Sequence, residues 1–348
     1  MTRHPFPRRG RRRVATVALA LGVGLLSVGC TSQASAPANT AVIPSSVAVE
    51  GYGVAGDATL TALAKDKGAI DTVGISGVSL TAQGAGVAAS TDEALSIAAS
   101  AKQQGVKSEL LVNNVDANGG DFSAELASDM LSSEDNRQFV VAGLAGEVDH
   151  GGYDGIQIDF ENLQESDAAD LVAFAKELSE TLPTSAAISM ALPASTTADG
   201  YLAAGYDVRA LKSSVARFVL MAYDEHGSGF SAAGPVGGLP WAEQSLSALT
   251  SFVSASKVDL GVAGYGYTWK SSGSGGVVTP AQARAMAGDR ANWVAAQGEW
   301  TAKLADGTVL WWSDARSLTV RANIAATKKL HGVALWQMAS GDGVTKAK

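Results

Sequence analysis

The sequence predicts an α/β fold, a (β/α)8 TIM barrel with a small α+β insertion between the seventh and eighth strands. Eight apolar or β-branched segments recur along the chain, and helical periodicity fills several of the gaps between them. Eight strands that alternate with helices favour a closed parallel barrel over an open sheet. The strands are predicted at Val47–Val54, Thr72–Ser76, Glu109–Asn113, Gly155–Phe160, Ala187–Leu192, Arg217–Ala222, Val258–Gly264 and Val333–Met338.

Apolar periodicity predicts the helices between these strands. One helix should carry Val140, Leu144 and Val148, which are four residues apart and follow a Ser132…Asp135 start signal. The last barrel helix is predicted at Ala315–Leu330. A further helix, which ends before a proline, should carry the apolar residues Leu171, Ala175, Leu178 and Leu182.

The gap between the seventh and eighth strands is too long for one helix, since it holds about 70 residues. Within it, Glu299–Leu304 and Thr308–Trp312 flank the hairpin-like turn Ala305-Asp306-Gly307. We therefore expect a small insertion at about residues 266–313, beside the mouth of a barrel domain that spans residues 45–348.

The charge of the chain argues against a nucleic-acid partner. Six arginines precede residue 30, and the rest of the chain holds 20 basic residues against 34 acidic ones, a net charge of −14. A chain this acidic would repel a phosphate backbone. We expect no nucleic-acid partner, and we expect the protein to act as a monomer.

The first 29 residues have the pattern of an export signal. An arginine-rich segment at residues 3–13 is followed by the apolar run Val14–Val28, which is shorter than the roughly 20 residues that span a bilayer. A transmembrane anchor is therefore the weaker alternative. The sequence leaves open whether export follows the general or the twin-arginine route.

Cys30 is the single cysteine of the chain and follows this signal directly. Its surroundings resemble the lipobox of bacterial lipoproteins, although Ser27 stands where that motif prefers leucine. We expect Cys30 to be lipidated and residues 30–44, which are mostly small and polar, to form a flexible tether. The protein would then be exported and anchored to the extracytoplasmic face of the cell membrane, or secreted if Cys30 is not lipidated.

The fourth predicted strand carries the chemistry. Side chains alternate along a strand, so Gln157, Asp159 and Glu161 should all point into the barrel. Two carboxylates on one face raise the pKa of at least one of them, as a general acid requires. Glu161 also stands at the carboxyl end of the strand, where barrel enzymes place catalytic groups. A structural polar network or a metal site is the alternative interpretation.

The segment Asp154-Gly155-x-Gln157-x-Asp159-x-Glu161 resembles the DGxDxDxE signature of family 18 glycoside hydrolases, with Gln157 in place of an aspartate. Met221-Ala222-Tyr223-Asp224 resembles the sixth-strand motif of that family, and Gly332–Trp336 resembles its eighth-strand tryptophan motif. The resemblance covers roughly residues 45–345. Further motifs are similar to the branch of spore-germination and cortex-lytic N-acetylglucosaminidases: Gly234-Pro235-Val236, Leu239-Pro240-Trp241, Leu260-Gly261-Val262 and Tyr265-Gly266-Tyr267.

The resemblance implies a substrate-assisted retaining glycosidase. Glu161 would protonate the glycosidic oxygen while the N-acetyl carbonyl of the substrate attacks the anomeric carbon. Asp159 would orient the acetamide and stabilise the cyclic cation. Tyr223 and Asp224 would hold the acetamide, and Trp336 would form the floor under the reacting sugar. The mechanism needs no metal and no cofactor.

Other residues are expected to contact the sugar. Gln157 should contact Asp159 and the substrate, and Asn113, with Asn114, ends the third strand at the mouth of the barrel. The expected partner is a polysaccharide with N-acetylated sugars. Peptidoglycan is favoured over chitin, because all seven tryptophans follow residue 240 and a long chitin cleft would need aromatic platforms on both sides. A non-catalytic carbohydrate-binding protein of the chitinase-like lectin kind is the alternative.

We predict that Cys30→Ala moves the protein from the membrane fraction to the soluble exported fraction, because stable anchoring needs the acyl chains that this cysteine would carry. Fractionation and intact-mass measurement of wild type and variant test this prediction. A wild-type protein that is soluble and carries no lipid would contradict it.

Overall fold

The computed structural model of the protein describes residues 39–117, 120–270 and 275–348. The predicted export signal and Cys30 lie outside these residues. Within the described ranges, no helix combines the length and the apolar character needed to cross a membrane.

The structure contains the following elements. The strands are β1 (Thr40–Ile43), β2 (Ala48–Val54), β3 (Thr72–Ser79), β4 (Lys107–Asn113), β5 (Gly155–Asp159), β6 (Ala187–Pro193), β7 (Arg217–Met221), β8 (Val258–Ala263), β9 (Gly266–Trp269), β10 (Gly276–Val278), β11 (Asn292–Val294), β12 (Glu299–Lys303), β13 (Val309–Trp312), β14 (Gly332–Trp336) and β15 (Gly343–Lys346). The α-helices are α1 (Asp57–Lys65), α2 (Asp92–Gln104), α3 (Ala124–Ser132), α4 (Glu134–Gly151), α5 (Ala168–Thr181), α6 (Ala198–Ala203), α7 (Val208–Leu211), α8 (Leu239–Thr250), α9 (Pro280–Ala287) and α10 (Ala315–Lys328).

The eight predicted strands form a closed parallel barrel, in the order β14-β2-β3-β4-β5-β6-β7-β8. The predicted barrel is therefore confirmed. Outward-facing side chains of the strands pack against the surrounding helices. On β5, for example, Ile156 and Ile158 are buried in the main core, and Phe160 lies 5.7 Å from the ring of Phe174 on α5.

The helices begin and end at residues that satisfy their backbone groups. Ser133 caps α4, because its side chain accepts a hydrogen bond from the N–H of Asn136. Gly152 ends the same helix with φ of 61°, a left-handed conformation that glycine adopts without steric cost. The predicted periodic residues Val140, Leu144 and Val148 are all buried.

The predicted tether is wrong for its last residues, because residues 40–43 form β1. This strand pairs in parallel with β15 near the end of the chain, and Ala41 and Ile43 are fully buried. Burial of these two side chains stabilises the pairing, and the partner strand lies about 300 residues away in the sequence. A contact of this range has no local sequence signal.

The insertion between β8 and β14 contains a five-stranded antiparallel sheet, in the order β10-β9-β13-β12-β11, together with α9. A small core of its own includes Leu310 and Trp312. The buried carboxylate of Glu299 connects the insertion to the loop after β7, since it accepts the N–H groups of Val236 (2.7 Å) and Gly237 (3.0 Å). The guanidinium of Arg321 on α10 lies 3.2 Å from the Glu299 carboxylate and balances its charge.

The interior of the barrel holds a buried group of charges, which we call the barrel ion cluster and which consists of Arg217, Glu50, Glu109 and Asp259. The guanidinium lies 2.5 Å from Glu50, 2.5 Å from Asp259 and 2.6 Å from Glu109. One cation among three carboxylates leaves excess negative charge. Burial raises the pKa of Glu50 to about 7, although Arg217 opposes this shift.

We predict that Arg217→Met destabilises the fold by about 3–5 kcal/mol, because it leaves three buried carboxylates without a cation. The variant should lose more stability at pH 8 than at pH 5. Without Arg217 nothing in the cluster opposes the effect of burial on Glu50, so its folded-state pKa rises further and the folded protein binds a proton that the unfolded chain releases.

Urea denaturation at both pH values measures this effect. Lys328→Met is the control, since its ion pair with Glu243 is exposed and should contribute less than about 1 kcal/mol. Equal losses in the two variants would show that the cluster does not depend on its cation.

Candidate active site

The candidate site begins where β5 ends. Asp159 is the last residue of the strand, and Glu161 follows just beyond it. The predicted inward register is correct, because Gln157 contacts Glu50 and Tyr52 of β2 across the barrel. Asp159 shares this parity and is 9% exposed. The two carboxylates therefore stand at the carboxyl-terminal mouth of the barrel, one above the other.

Burial dominates the electrostatics of this mouth. It raises the pKa of Asp159 to about 7. It also raises the pKa of Tyr223 well above the ordinary tyrosine value, and the negative charges of Asp159 and Glu161 raise that pKa further. Burial and the same two charges also raise the pKa of the Tyr206 phenol. The carboxylates of Asp159 and Glu161 and the phenol of Tyr223 therefore interact electrostatically at this mouth.

Asp224 forms a second part of the site, with a left-handed backbone (φ 61°). Its Oδ1 atom accepts hydrogen bonds from the hydroxyl groups of Tyr265 (2.6 Å) and Tyr267 (2.8 Å). Burial raises the pKa of Asp224, and the two phenol donors partly offset that shift. Both donors come from the segment that enters the insertion, so the insertion fixes the orientation of this carboxylate.

Trp336, at the end of β14, lies half-buried beside these groups. Its ring is 5.3 Å from the ring of Tyr52, with an angle of 55° between the two planes. The indole adjoins a cleft of about 620 Å³ between the barrel mouth and the insertion. The cleft combines aromatic and polar walls, a lining suited to sugars. It is lined by Trp336, Asp224, Tyr265, Tyr267, Val277, Val278, Thr279, Gln282, Gln337 and Ser340.

The structure corrects the role expected of Gln157. The residue is fully buried, so it does not reach a substrate in the cleft. Its oxygen accepts a hydrogen bond from the Tyr52 hydroxyl (2.6 Å), and its nitrogen donates to Glu50 (3.0 Å) and Ser189 (2.9 Å). Both amide hydrogens are thereby used, and the predicted contact with Asp159 is wrong. Gln157 instead joins the barrel ion cluster to Tyr52, which supports Trp336.

Asn113 is 8% exposed and stands next to Asp159 in the register of β4 and β5. Its Oδ1 atom accepts hydrogen bonds from the Ser79 hydroxyl (2.7 Å) and the N–H of Val115 (3.1 Å). The oxygen is therefore used inside the protein. A sugar contact through the carboxamide nitrogen stays a prediction.

The sequence analysis missed the role of Asn114. This residue is fully buried and hydrogen-bonds the backbone N–H and C=O of Glu161, both at 2.9 Å. The roles of Tyr265 and Tyr267 beside Asp224 were missed as well. The position of the Asn113-Asn114 pair at the end of a predicted strand was the available signal, but only the fold shows which backbone the second asparagine contacts.

Metal-ligating side chains do not cluster in the described ranges, where no group of three or more histidine, cysteine, aspartate or glutamate residues could hold an ion. The acids of the barrel interior are instead arranged around the guanidinium of Arg217.

Comparison with known proteins places the chain in a family. The model of the family "Glycosyl hydrolases family 18" matches residues 88–342. YdhD of Bacillus subtilis (strain 168), whose name describes a sporulation-specific glycosylase, is 26% identical over 234 residues, 64% of this chain and 56% of the relative. YvbX of the same organism, named an uncharacterized glycosylase, is 28% identical over 172 residues, 49% of this chain and 50% of the relative. The chain thus matches only about half the length of these curated relatives.

Solved structures agree with this assignment. A chitinase from Chromobacterium violaceum ATCC 12472 is 25% identical with a TM-score of 0.76, over 85% of this chain and 95% of that chain. The spore cortex-lytic enzyme SleL of Bacillus cereus has the same fold, with a TM-score of 0.76 at 19% identity over 84% of this chain and 71% of that chain. The resemblance read from the sequence is confirmed, and the chain belongs to the glycosyl hydrolases of family 18, a family of glycosidases.

Proposed function

We propose that this protein hydrolyses β-linked glycans of N-acetylhexosamine by a substrate-assisted retaining mechanism. The observation that carries the proposal is the arrangement at the end of β5. There the buried Asp159, with its pKa raised to about 7, lies below Glu161 and beside Tyr223. The half-buried Trp336 lines the cleft between the barrel mouth and the insertion, together with Asp224.

The chemistry proposed for each residue is the one that membership of the family implies, and this arrangement supports it. Glu161 protonates the leaving glycosidic oxygen, and the carbonyl oxygen of the substrate's acetamide attacks the anomeric carbon. The ring that forms carries positive charge, which the buried Asp159 stabilises strongly because little water screens it. Tyr223 and Asp224 hold the acetamide. Glu161 then removes a proton from the attacking water, so the product retains its anomeric configuration.

Peptidoglycan is the favoured substrate, and chitin is the second candidate. The similarity to YdhD, a sporulation-specific glycosylase by name, supports the first. The chitinase similarity supports the second. All seven tryptophans follow residue 240, and of these Trp336 lines the cleft, beside Tyr265 and Tyr267, so the aromatic surface of the cleft is small. That distribution suits a shorter binding site than processive chitin cleavage requires.

The proposed location matches a cell-wall substrate. Lipidation of Cys30 would hold the barrel on the extracytoplasmic face of the membrane, where the residues between Cys30 and β1 would separate it from the bilayer. If Cys30 carries no lipid, the protein would be secreted into the same compartment.

We predict that Glu161→Gln lowers turnover by at least about 10²–10⁴-fold, because the amide cannot donate the proton that the leaving group needs. Mass spectrometry of products from digested peptidoglycan and from chitin oligomers measures the loss and identifies the substrate. Glu165→Gln, an exposed glutamate four residues further on, is the control and should keep normal activity.

Near-normal turnover in Glu161→Gln would overturn the assignment of the acid. A wild-type protein that binds these glycans and cleaves none of them would favour the alternative of a carbohydrate-binding protein.

We predict that Asp159→Asn abolishes activity yet stabilises the fold at pH 8. The raised pKa means that ionised Asp159 costs folding free energy; this cost is absent at low pH, grows as the pH rises towards the folded-state pKa of about 7, and stays constant at higher pH. The Tm difference between Asp159→Asn and wild type should therefore be larger at pH 8 than at pH 4. Thermal unfolding at both pH values measures it, with the exposed Asp149→Asn as control. A variant that is less stable at pH 8 would show that the Asp159 charge is not buried unfavourably.

A further inference from the structure

Glu161 lies just beyond the last residues of β5 that pair with the neighbouring strands. The pairing of β4 with β5 ends at Asn113 and Asp159, and the pairing of β5 with β6 ends at Ile158 and Met190. The peptide groups of residues 160–162 therefore need other hydrogen-bond partners, since unpaired backbone groups are costly in a poorly solvated site.

The carboxamide of Asn114 supplies those partners for Glu161. Its Oδ1 atom accepts the N–H of Glu161 and its Nδ2 atom donates to the C=O of Glu161, both at 2.9 Å. A carboxamide presents an acceptor and a donor side by side, as a peptide group does. Asn114 thus continues the β4–β5 ladder by one rung through a side chain, at the residue that carries the proposed acid.

Asn114 is itself held in place. The residue is fully buried, and its Nδ2 atom also donates to the C=O of Ser123 at 2.9 Å. The N–H of Ser123 donates back to the C=O of Asn114 at 2.9 Å, and the Ser123 side chain caps α3. The asparagine therefore connects the Glu161 peptide to the start of a helix, which is a rigid support.

The flanking residues have separate supports. The hydroxyl of Tyr206 donates to the C=O of Phe160. Asn162, with φ of 61°, donates from its side chain to the C=O of Phe122 at 2.9 Å. These contacts fix the chain before and after Glu161, whereas Asn114 contacts the Glu161 peptide itself.

We propose that Asn114 is a positioning residue that aims the carboxyl group of Glu161 at the glycosidic oxygen. The proposal rests on the proposed role of Glu161 as proton donor. A misplacement of about 1 Å costs up to about 10²-fold in rate. The loss of this clamp should therefore reduce proton donation and leave the sugar-binding surfaces of Trp336 and Asp224 in place.

The test compares two leaving groups in Asn114→Ala. With a sugar leaving group, as in an N-acetylglucosamine oligomer, kcat should fall about 10–100-fold with little change in KM. With a 2,4-dinitrophenyl glycoside of the same N-acetylated sugar, the loss should be several-fold smaller, because a dinitrophenolate leaves without protonation. A general loss of folded structure would instead lower kcat equally with the two leaving groups.

Asn136→Ala is the matched control. The Asn136 side chain also bridges two backbone carbonyl groups, of Gln83 (3.1 Å) and Asp129 (3.2 Å), but it lies outside the site. This variant should keep the wild-type kcat with both leaving groups. The comparison separates the loss of an asparagine that bridges backbone groups in general from the loss of the asparagine that holds Glu161.

Asn114→Asp gives a second test that does not need the alanine variant to fold. A protonated carboxyl group has one O–H donor and one C=O acceptor, so at low pH it can form both hydrogen bonds to the Glu161 peptide, without the further donation to Ser123, whereas the ionised form has no donor. The ratio of variant kcat to wild-type kcat should fall as the pH rises.

Equal losses with both leaving groups, a loss confined to KM, or a pH-independent ratio in Asn114→Asp would overturn the role of Asn114. Failure of the underlying assignment is distinguishable. An active Glu161→Gln would remove the proposed acid, whereas an inactive Glu161→Gln with normal Asn114 variants would contradict this inference alone.

Discussion

The guanidinium of Arg217 is the interaction on which the barrel depends. It joins carboxylates from three other strands, at 2.5–2.6 Å, in an interior where all four side chains are buried. A barrel of this size must fill its centre with side chains, and this protein fills part of it with charges. Because an unpaired buried carboxylate is far more costly than a paired one, the cluster favours the one strand order and register that bring these residues together.

The same network supports the site above it. Glu50 and Ser189 accept hydrogen bonds from Gln157, Gln157 accepts one from Tyr52, and the ring of Tyr52 contacts Trp336. The proposed sugar floor therefore rests on a chain of satisfied polar groups that leads down to the ions. This arrangement explains why an amide at position 157 is compatible with the fold. A carboxylate there would add a fourth negative charge beside one cation, whereas the amide donates to an acid already present.

The two halves of the site have different supports. Asp159 and Glu161 belong to β5 and are held by the barrel and by Asn114. Asp224 is held by two tyrosines that lead into the insertion, and Glu299 fixes the loop that follows it. The insertion thus shapes one wall of the cleft and orients a carboxylate there. The distance between the proposed acid, Glu161, and the proposed acetamide-binding residue Asp224 therefore depends on how the insertion and the barrel pack together.

The sequence by itself determined the eight barrel strands, the inward parity of Asp159 and the position of Glu161 at a strand end. These features follow from periodicity and spacing within a few residues, and side-chain alternation along a strand is a local property. The tertiary structure alone decided that Gln157 contacts Glu50 rather than Asp159, that Asn114 holds Glu161, and that residues 40–43 form a strand. Those contacts join residues 107, 47 and about 300 positions apart. Their energies depend on which groups the closed barrel brings within hydrogen-bond distance, and no local pattern encodes that distance.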